Sequence, residues 1–411
     1  MQREENRLSQ GCVSVVSERH QIVIHILFVH QSAEMYGSDK VLLSLIEGLD
    51  KQFFNPIVIL PRDGPLLVAL QKLNVTIYVI PLVIISRVTY SIKGMVCLPL
   101  EIYRSMRALN LALKGVKVDI VHSNTVAVLS GALWAKWGKI PHIWHVHEMI
   151  VHPNLVRRLF PLLLKTLANR VVCNSTATQQ LLLNFQPNLA VKSIVIKNCL
   201  ERIEPMDQKA VFTLRNQLNI GASDVLVALV GRINRWKGQG LLVDAASILW
   251  EKGIRNIHYL IVGSPPDGRE HFKNNLLAKV SVSPAKAKIT VMDFREDIYN
   301  IWDASDIAVV PSTEPEPFGM VALEAMAAGK PVIAAAHGGI KEIIVDGETG
   351  LYFAPSSAED LANKVEDLSK QPYKREQMGS KGMERLKSFF NHENYVLEFS
   401  RFYEKVLSNT L

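Results

Sequence analysis

Short β-branched and aliphatic runs alternate with helical stretches of about a dozen residues along nearly the whole chain, and few folds admit that pattern. Strand-like runs are "QIVIHILFVH" (Gln21 to His30), "NPIVILP", "VTIYVIPL", "VDIVHSNT" (Val118 to Thr125), "PHIWHVHE" (Pro141 to Glu148), "RVVCNS" and "KSIVIKN". Between them "VLLSLIEGL", "GPLLVALQKL" and "VLSGALWAKWG" have helical spacing. Polarity rises between Glu201 and Ser223, and the alternation then restarts with "VLVALVGRI", "IHYLIVGSPPDG", "KITVMDF", "DIAVVPS" and "PVIAAA". Such βαβ series build parallel sheets covered by helices on both faces. A chain of 411 residues is long for one core. The expected architecture is therefore α/β, with two Rossmann-like, doubly wound domains facing across a cleft. The boundaries read as a polar leader over 1–20, expected to be disordered, a first domain over 21–205, a second over 206–390 and a final helix candidate over 391–411.

Four scattered cysteines without CxxC spacing argue against a disulfide framework or a zinc site, and fit a reducing compartment. The leader lacks an apolar core and does not read as a signal peptide. The longest apolar run, Val75 to Ser86, is too short to span a bilayer and carries Pro81. It reads as one or two buried strands, and the chain as soluble or peripheral.

Charge divides unevenly. Through Leu200 there are 21 Lys+Arg against 11 Asp+Glu, whereas the remainder holds 25 against 28. The segment "VHPNLVRRLFPLLLKTLANRVV" (Val151 to Val172) has no acid at all. Basic residues interleaved with leucines suit either an anionic membrane surface or an ordinary amphipathic helix with a solvated face. Nucleic acid is not expected, since no recognised binding motif accompanies the charge.

Four loops could carry chemistry. In "LVGRINRWKGQG", Gly231 ends a strand and Arg232 and Lys237 follow, a planar donor fork and a mobile point charge suited to phosphate oxygens. In "EPEPFGMVALE" (Glu314 to Glu324), Pro317 holds Glu316 extended and a helix should begin near Phe318, Gly319 and Met320. Its unpaired N–H groups make an anion site. Glu324 lies on a helix of small or apolar residues and must be partnered or ligand-facing. A carboxylate in either position can accept bonds from sugar hydroxyls, an easier reading than an acid/base pair across a glycosidic bond. Glu314 has no assigned role, and a metal there is not expected. In "HIWHVHE", His142 and His145 read as structural and His147 as functional. "EMYGSDK" (Glu34 to Lys40) is a glycine-bearing turn with little signal of its own.

Together these residues resemble the family 4 glycosyltransferases, which have the GT-B fold. The Glu-x7-Glu motif from Glu316 to Glu324 stands in the family's order with "VGRINRWKG", "LIVGSPPDG", "DIYNIWDASDIAVVPS" and "IVDGETGLYF". The resemblance implies a retaining, metal-independent transfer of a sugar, a hexose by expectation, from a nucleotide-sugar donor, with no cofactor. It implies that Arg232, Lys237 and the amides near Phe318–Met320 hold the diphosphate, beside Gly231. Glu316 would hold the sugar, Glu324 the ribose, His147 the region of the reacting carbon, and Gly37 would let the first-domain loop approach. The expected acceptor is a glycan, glycolipid or small molecule, in envelope or extracellular polysaccharide synthesis, and the expected location is cytoplasmic, peripheral on the cytoplasmic face. The rivals are a soluble enzyme making a small glycoside or storage glucan, and a silent sugar-nucleotide-binding protein. The sequence departs from the family pattern at Tyr36, where a second glycine is usual, at "NCL" (Asn198 to Leu200) and at Asp293.

Overall fold

A computed structural model describes residues 23–85, 89, 92–201 and 205–408. The polar leader lies outside the described residues. The first sheet comprises β1 (Ile24–His30), β2 (Phe54–Leu60), β3 (Thr76–Val79), β4 (Ile120–Asn124), β5 (His142–Val146), β6 (Arg170–Cys173) and β7 (Ser193–Val195). Its order is β3-β2-β1-β4-β5-β6-β7 and every pairing is parallel. The second comprises β8 (Val225–Val230), β9 (Ile257–Val262), β10 (Ile289–Met292), β11 (Ile307–Val310), β12 (Val332–Ala335) and β13 (Gly350–Phe353). Its order is β10-β9-β8-β11-β12-β13, again parallel throughout. Every residue of β4, β5, β9, β11 and β12 is buried, as sheets covered on both faces require. Strand order reverses between β1 and β4 and between β8 and β11, and ligands in such sheets collect beyond the strand ends at those points.

The apolar run from Val75 departs from the expectation of buried strands. Thr76–Val79 joins the sheet at its edge, with Val79 43% exposed, and farther on Ile84 makes one isolated antiparallel bridge with Val128. Pro81 has no N–H to continue the ladder. The alternation also gave no notice of a 21-residue helix at Ile92–Ala112, which carries Pro99 inside it.

The chain passes between the sheets twice. Leu200 N–H donates to Phe390 O at 3.0 Å, so the outgoing and returning segments are bonded to each other. The final helix, His392–Ser408, then lies on the first sheet's domain: Tyr395, Phe399, Phe402 and Tyr403 share one core with Ile26, Phe28 and Leu45. Tyr403 Oη sits 2.7 Å from His122 Nδ1 on β4. Helix Gly37–Gly48 approaches so closely that a Cβ on Gly48 would lie 2.4 Å from Val396 Cγ2. On the other side of the junction, Ser175 and Thr178 hydroxyls donate to Pro317 O at 2.5 and 3.2 Å. Glu342 accepts from Ala177 N–H at 3.1 Å and pairs with Lys197 at 3.3 Å. These contacts fix the loops of one sheet opposite those of the other.

Candidate functional site

The loops after β8 and β11 are stitched into one surface. Asn234 Oδ1 accepts from Trp236 and Lys237 N–H at 3.0 and 2.9 Å, curling the first loop, and Thr313 N–H donates to Trp236 O at 2.7 Å. Gly238 caps the following helix with φ 78°, and a Cβ there would stand 1.9 Å from Pro311 O. No other residue fits that approach. The outcome is that Lys237 Nζ reaches Glu316 Oε1 at 2.7 Å, with the Ser312 hydroxyl donating to the same oxygen. Glu316 is 4% exposed. Its backbone is clamped in turn: Gly339 N–H donates to Glu316 O at 2.7 Å, and Gly338 presses so near that a Cβ would meet Glu316 O at 2.4 Å.

The helix Met320–Ala327 begins where the sequence places it, capped by Gly319 at φ 116°. Ala322 N–H bonds back to Gly319 O at 2.9 Å, and the amides of Met320 and Val321 lie too near the helix start to have an acceptor within it. The Phe318 side chain turns into the core, and the expectation for this residue concerns its backbone amide alone. It is 2% exposed and packs edge-on to Phe390, so only its backbone can face outward. Met320 bridges the two domains, half-buried and packed against both cores, its sulfur accepting from Asn198 Nδ2 at 3.7 Å. A Cβ on Gly37, the first residue of its helix, would lie 3.6 Å from Met320 Cγ. That is ordinary contact, so packing alone does not demand a glycine there.

Arg232, the residue after Gly231, stacks across the cleft on the Tyr36 ring, Cζ lying 3.9 Å from its centroid, and Tyr36 meets Phe294 edge-on at 6.3 Å. A stacked guanidinium uses its face and leaves its in-plane N–H groups available. The departure at Tyr36 thus becomes a contact between the two halves of the site. Glu324 is 8% exposed and meets Lys40 of the opposite domain at 3.7 Å. Burial pushes its carboxyl above the usual range, and Lys40 works against that shift. Glu314 lies apart, paired with Arg235. Asp293 pairs with Lys273 at 2.5 Å, at the surface.

On the first sheet, His147 follows β5 and is 8% exposed; its Nε2 lies 2.8 Å from Asn124 Oδ1. Burial, then the neighbouring His30, push its pKa down to about 3, so the ring is neutral at pH 7. Burial also lowers His142 to about 3, although Leu167 O, accepting from the ring, opposes the shift. His122 and His145 are pushed well below the ordinary value for the same first cause. His145 is wedged 3.9 Å from the His147 ring and 5.2 Å from Phe399, and neither of its nitrogens has a hydrogen-bond partner among the described residues. Glu148 is half-buried as a residue, but its carboxyl turns inward and accepts from Val126 and His147 N–H at 3.1 and 3.2 Å. Burial pushes it up to about 7.

Arg232, Lys237, Glu316, Glu324 and the Gly319 helix mouth therefore share one face of the second domain, with Tyr36, Gly37 and Lys40 set against it. Lys40, Ser312 and the His30–Asp39–Asn124 group join the site without a motif of their own in the sequence. His30, closing the apolar run from Ile26 to Val29, was the available signal; Asn124 ends a strand that already holds His122 and Ser123 and does not stand out.

Two family models match this chain: "Glycosyltransferase Family 4" over residues 35–201 and "Glycosyl transferases group 1" over residues 211–385. The chain belongs to the family 4 glycosyltransferases. Its two facing sheets are the GT-B architecture of that family. The chain is 34% identical over 178 residues to a D-inositol 3-phosphate glycosyltransferase of Corynebacterium aurimucosum, spanning 43% of this chain and 42% of the relative. It is 35% identical over 193 residues to the lipopolysaccharide 1,2-N-acetylglucosaminetransferase of Salmonella typhimurium, spanning 45% and 50%. The matched region is thus half or less of these relatives' length. The crystal structure of Anabaena Alr3699/HepE in complex with UDP-glucose superposes with a TM-score of 0.80 at 23% identity, covering 93% of this chain and all of that one.

The buried histidines generate a prediction. The unfolded chain protonates each near pH 6.5, whereas His122, His142, His145 and His147 resist protonation when folded. Stability is therefore fully present above about pH 6.5 and lost as pH falls below it. His145→Leu, which removes two unpartnered nitrogens, should flatten that acid loss in melting-temperature scans while costing little at pH 7.5. Superimposable pH curves for the two proteins would contradict it.

Proposed function

We propose that this glycosyltransferase moves a sugar, a hexose, from a nucleotide-sugar donor to its acceptor with retention of anomeric configuration, using cationic side chains and backbone amides at the leaving diphosphate. The observation that carries the reading is the pairing of half-buried Lys237 with buried Glu316 at the mouth of the Gly319 helix. A carboxylate held this firmly can accept hydroxyls of the donor sugar. Lys237 has three N–H donors, so it can bond Glu316 and a phosphate oxygen together. Arg232, stacked on Tyr36, turns its donor edge to the same diphosphate. Charge grows on that group as the glycosidic bond breaks, and donors fixed beforehand stabilise it most where it develops. Glu324, beside Lys40, takes the ribose. His147, neutral and nearly enclosed, faces the sugar near the reacting carbon. The UDP-glucose complex of Alr3699/HepE supports a nucleotide-sugar donor for this fold. Metal is assigned no part: the two cations supply the charge a divalent ion would bring.

The acceptor we assign is a glycan or glycolipid of envelope or extracellular polysaccharide synthesis, reached from the cytoplasmic face of a membrane. Among the described residues no helix is long and apolar enough to cross a bilayer. Helix Asn154–Leu167 instead exposes Leu155, Leu159 and Leu162, at 68, 49 and 45%, beside the exposed cations Arg158 and Lys165. No acid occurs from Met149 to Leu200. Leucines between cations suit the boundary of an anionic leaflet. The salmonella relative, named for lipopolysaccharide, supports an envelope acceptor.

Donor binding is read by thermal shift with UDP-, GDP- and ADP-sugars, because a ligand of the native state raises its melting temperature. One of them should stabilise the protein and support transfer. Lys237→Gln, which leaves Glu316 a donor, should abolish that shift and lower kcat about 10²- to 10³-fold. Absence of any shift and any transfer, or unchanged turnover in the variant, would overturn the assignment. For the membrane, the protein should float with vesicles containing anionic lipid at low salt and sediment free of them at high salt. Leu159→Glu should abolish flotation; equal flotation on neutral vesicles, or none at all, would defeat the membrane reading.

A further inference from the structure

The first sheet aligns three polar side chains whose arrangement the transfer reading leaves unused. His30 ends β1 and Asn124 ends β4, its neighbour, in register with each other; His147 follows β5, the next strand. Asn124 is 1% exposed and His30 fully buried. Asn124 Nδ2 lies 3.0 Å from His30 Nδ1, and Asn124 Oδ1 lies 2.8 Å from His147 Nε2. His30 Nε2 lies 2.6 Å from Asp39 Oδ1, while Asp39 Oδ2 accepts from Tyr36 N–H at 2.9 Å. The row therefore runs from the cap of the helix that begins at Gly37 to the histidine at the cleft.

Elementary donor and acceptor rules assign the protons. An ionised carboxylate only accepts, so His30 carries its proton on Nε2 and donates it to Asp39. His30 Nδ1 lies 3.1 Å from the Asn124 backbone O, which only accepts, as well as 3.0 Å from Asn124 Nδ2. The amide is oriented by Ser38 O, an acceptor 3.4 Å from Nδ2, so its NH₂ faces the side of His30 and Ser38. That choice leaves the Asn124 carbonyl oxygen facing His147, and an oxygen there accepts only from Nε2–H. The remaining nitrogen of His147, Nδ1, is the one with the lone pair.

We propose that Asn124, oriented by His30 and Asp39, is a positioning residue that fixes His147 as the Nε2–H tautomer, so that Nδ1 accepts a hydrogen bond from a hydroxyl of the transferred sugar. The inference rests on the reading that His147 meets the donor sugar. It makes His147 an acceptor of fixed orientation and not a proton donor. A tautomer set by the partner of the other ring nitrogen is a general device of buried histidines.

The test has two arms. In the intact protein, ¹⁵N NMR of the histidine rings, assigned with His147→Gln, reads the tautomer directly: His147 Nε2 should be protonated and Nδ1 bare, and a protonated Nδ1 would overturn the inference. In transfer assays, Asn124→Ala should lower kcat about 10- to 100-fold with little change in the donor KM, the usual scale for losing an orienting partner. Adding it to His147→Ala should cost nothing more, because residues acting as one unit are not additive. Asn124→Asp keeps an acceptor but places a carboxylate beside His147; it should keep most of the activity and move the acid limb of the pH–rate profile upward. Multiplying losses in the double variant, or an unmoved acid limb, would refute the positioning role alone. Unchanged turnover in His147→Ala would refute the underlying reading of His147 instead.

Discussion

A carboxylate with 4% exposure cannot stand unpaired, and the site is built around satisfying Glu316. Lys237 and Ser312 reach one of its oxygens, while Gly338 and Gly339 hold its backbone. Each requirement fixes a neighbouring loop. Lys237 arrives only because the Asn234 turn and the close approach of Gly238 to Pro311 fold the loop after β8 back on β11. Pro317 O, next in the chain, is where the first domain anchors through Ser175 and Thr178. One ion pair thus connects the second domain's loops to the placement of the first. Breaking it from the lysine side leaves a buried charge, which costs far more than a surface pair contributes.

The two sides of the cleft are electrostatically different. The second domain offers cations and helix amides, while the first offers neutral, buried histidines whose pKa values burial has lowered. On the proposed reading, that difference sets fixed positive charge at one end of the breaking bond and hydrogen-bond acceptors at the other. Tyr36 and Lys40 cross the gap to Arg232 and Glu324, so a donor bound as proposed would sit among contacts already joining the halves.

The architecture was legible because parallel strands buried on both faces leave near-continuous apolar runs, and the helix start at Gly319–Met320 was legible because proline and glycine dictate backbone there. The run from Val75 misled for a physical reason: an edge strand and a core strand have the same apolar composition, and Val79 differs only in having no neighbour outside it. Helix Ile92–Ala112 escaped because its exposed Met95, Val96, Leu100 and Tyr103 blur the helical apolar face. Around the site, residues within one motif were readable, and partnerships between distant segments were not. Lys40 with Glu324, Tyr36 with Arg232 and His30 with Asn124 each join segments that only the closed sheets bring together.

The most direct measurement is a crystal structure with the nucleotide-sugar that stabilises the protein. The account requires the diphosphate at the mouth of the helix Met320–Ala327, bonded by Lys237 Nζ and the Arg232 guanidinium, with sugar hydroxyls on Glu316 and on His147 Nδ1. A diphosphate bound elsewhere, with Lys237 engaged by Glu316 alone and Arg232 still turned wholly to Tyr36, would contradict it.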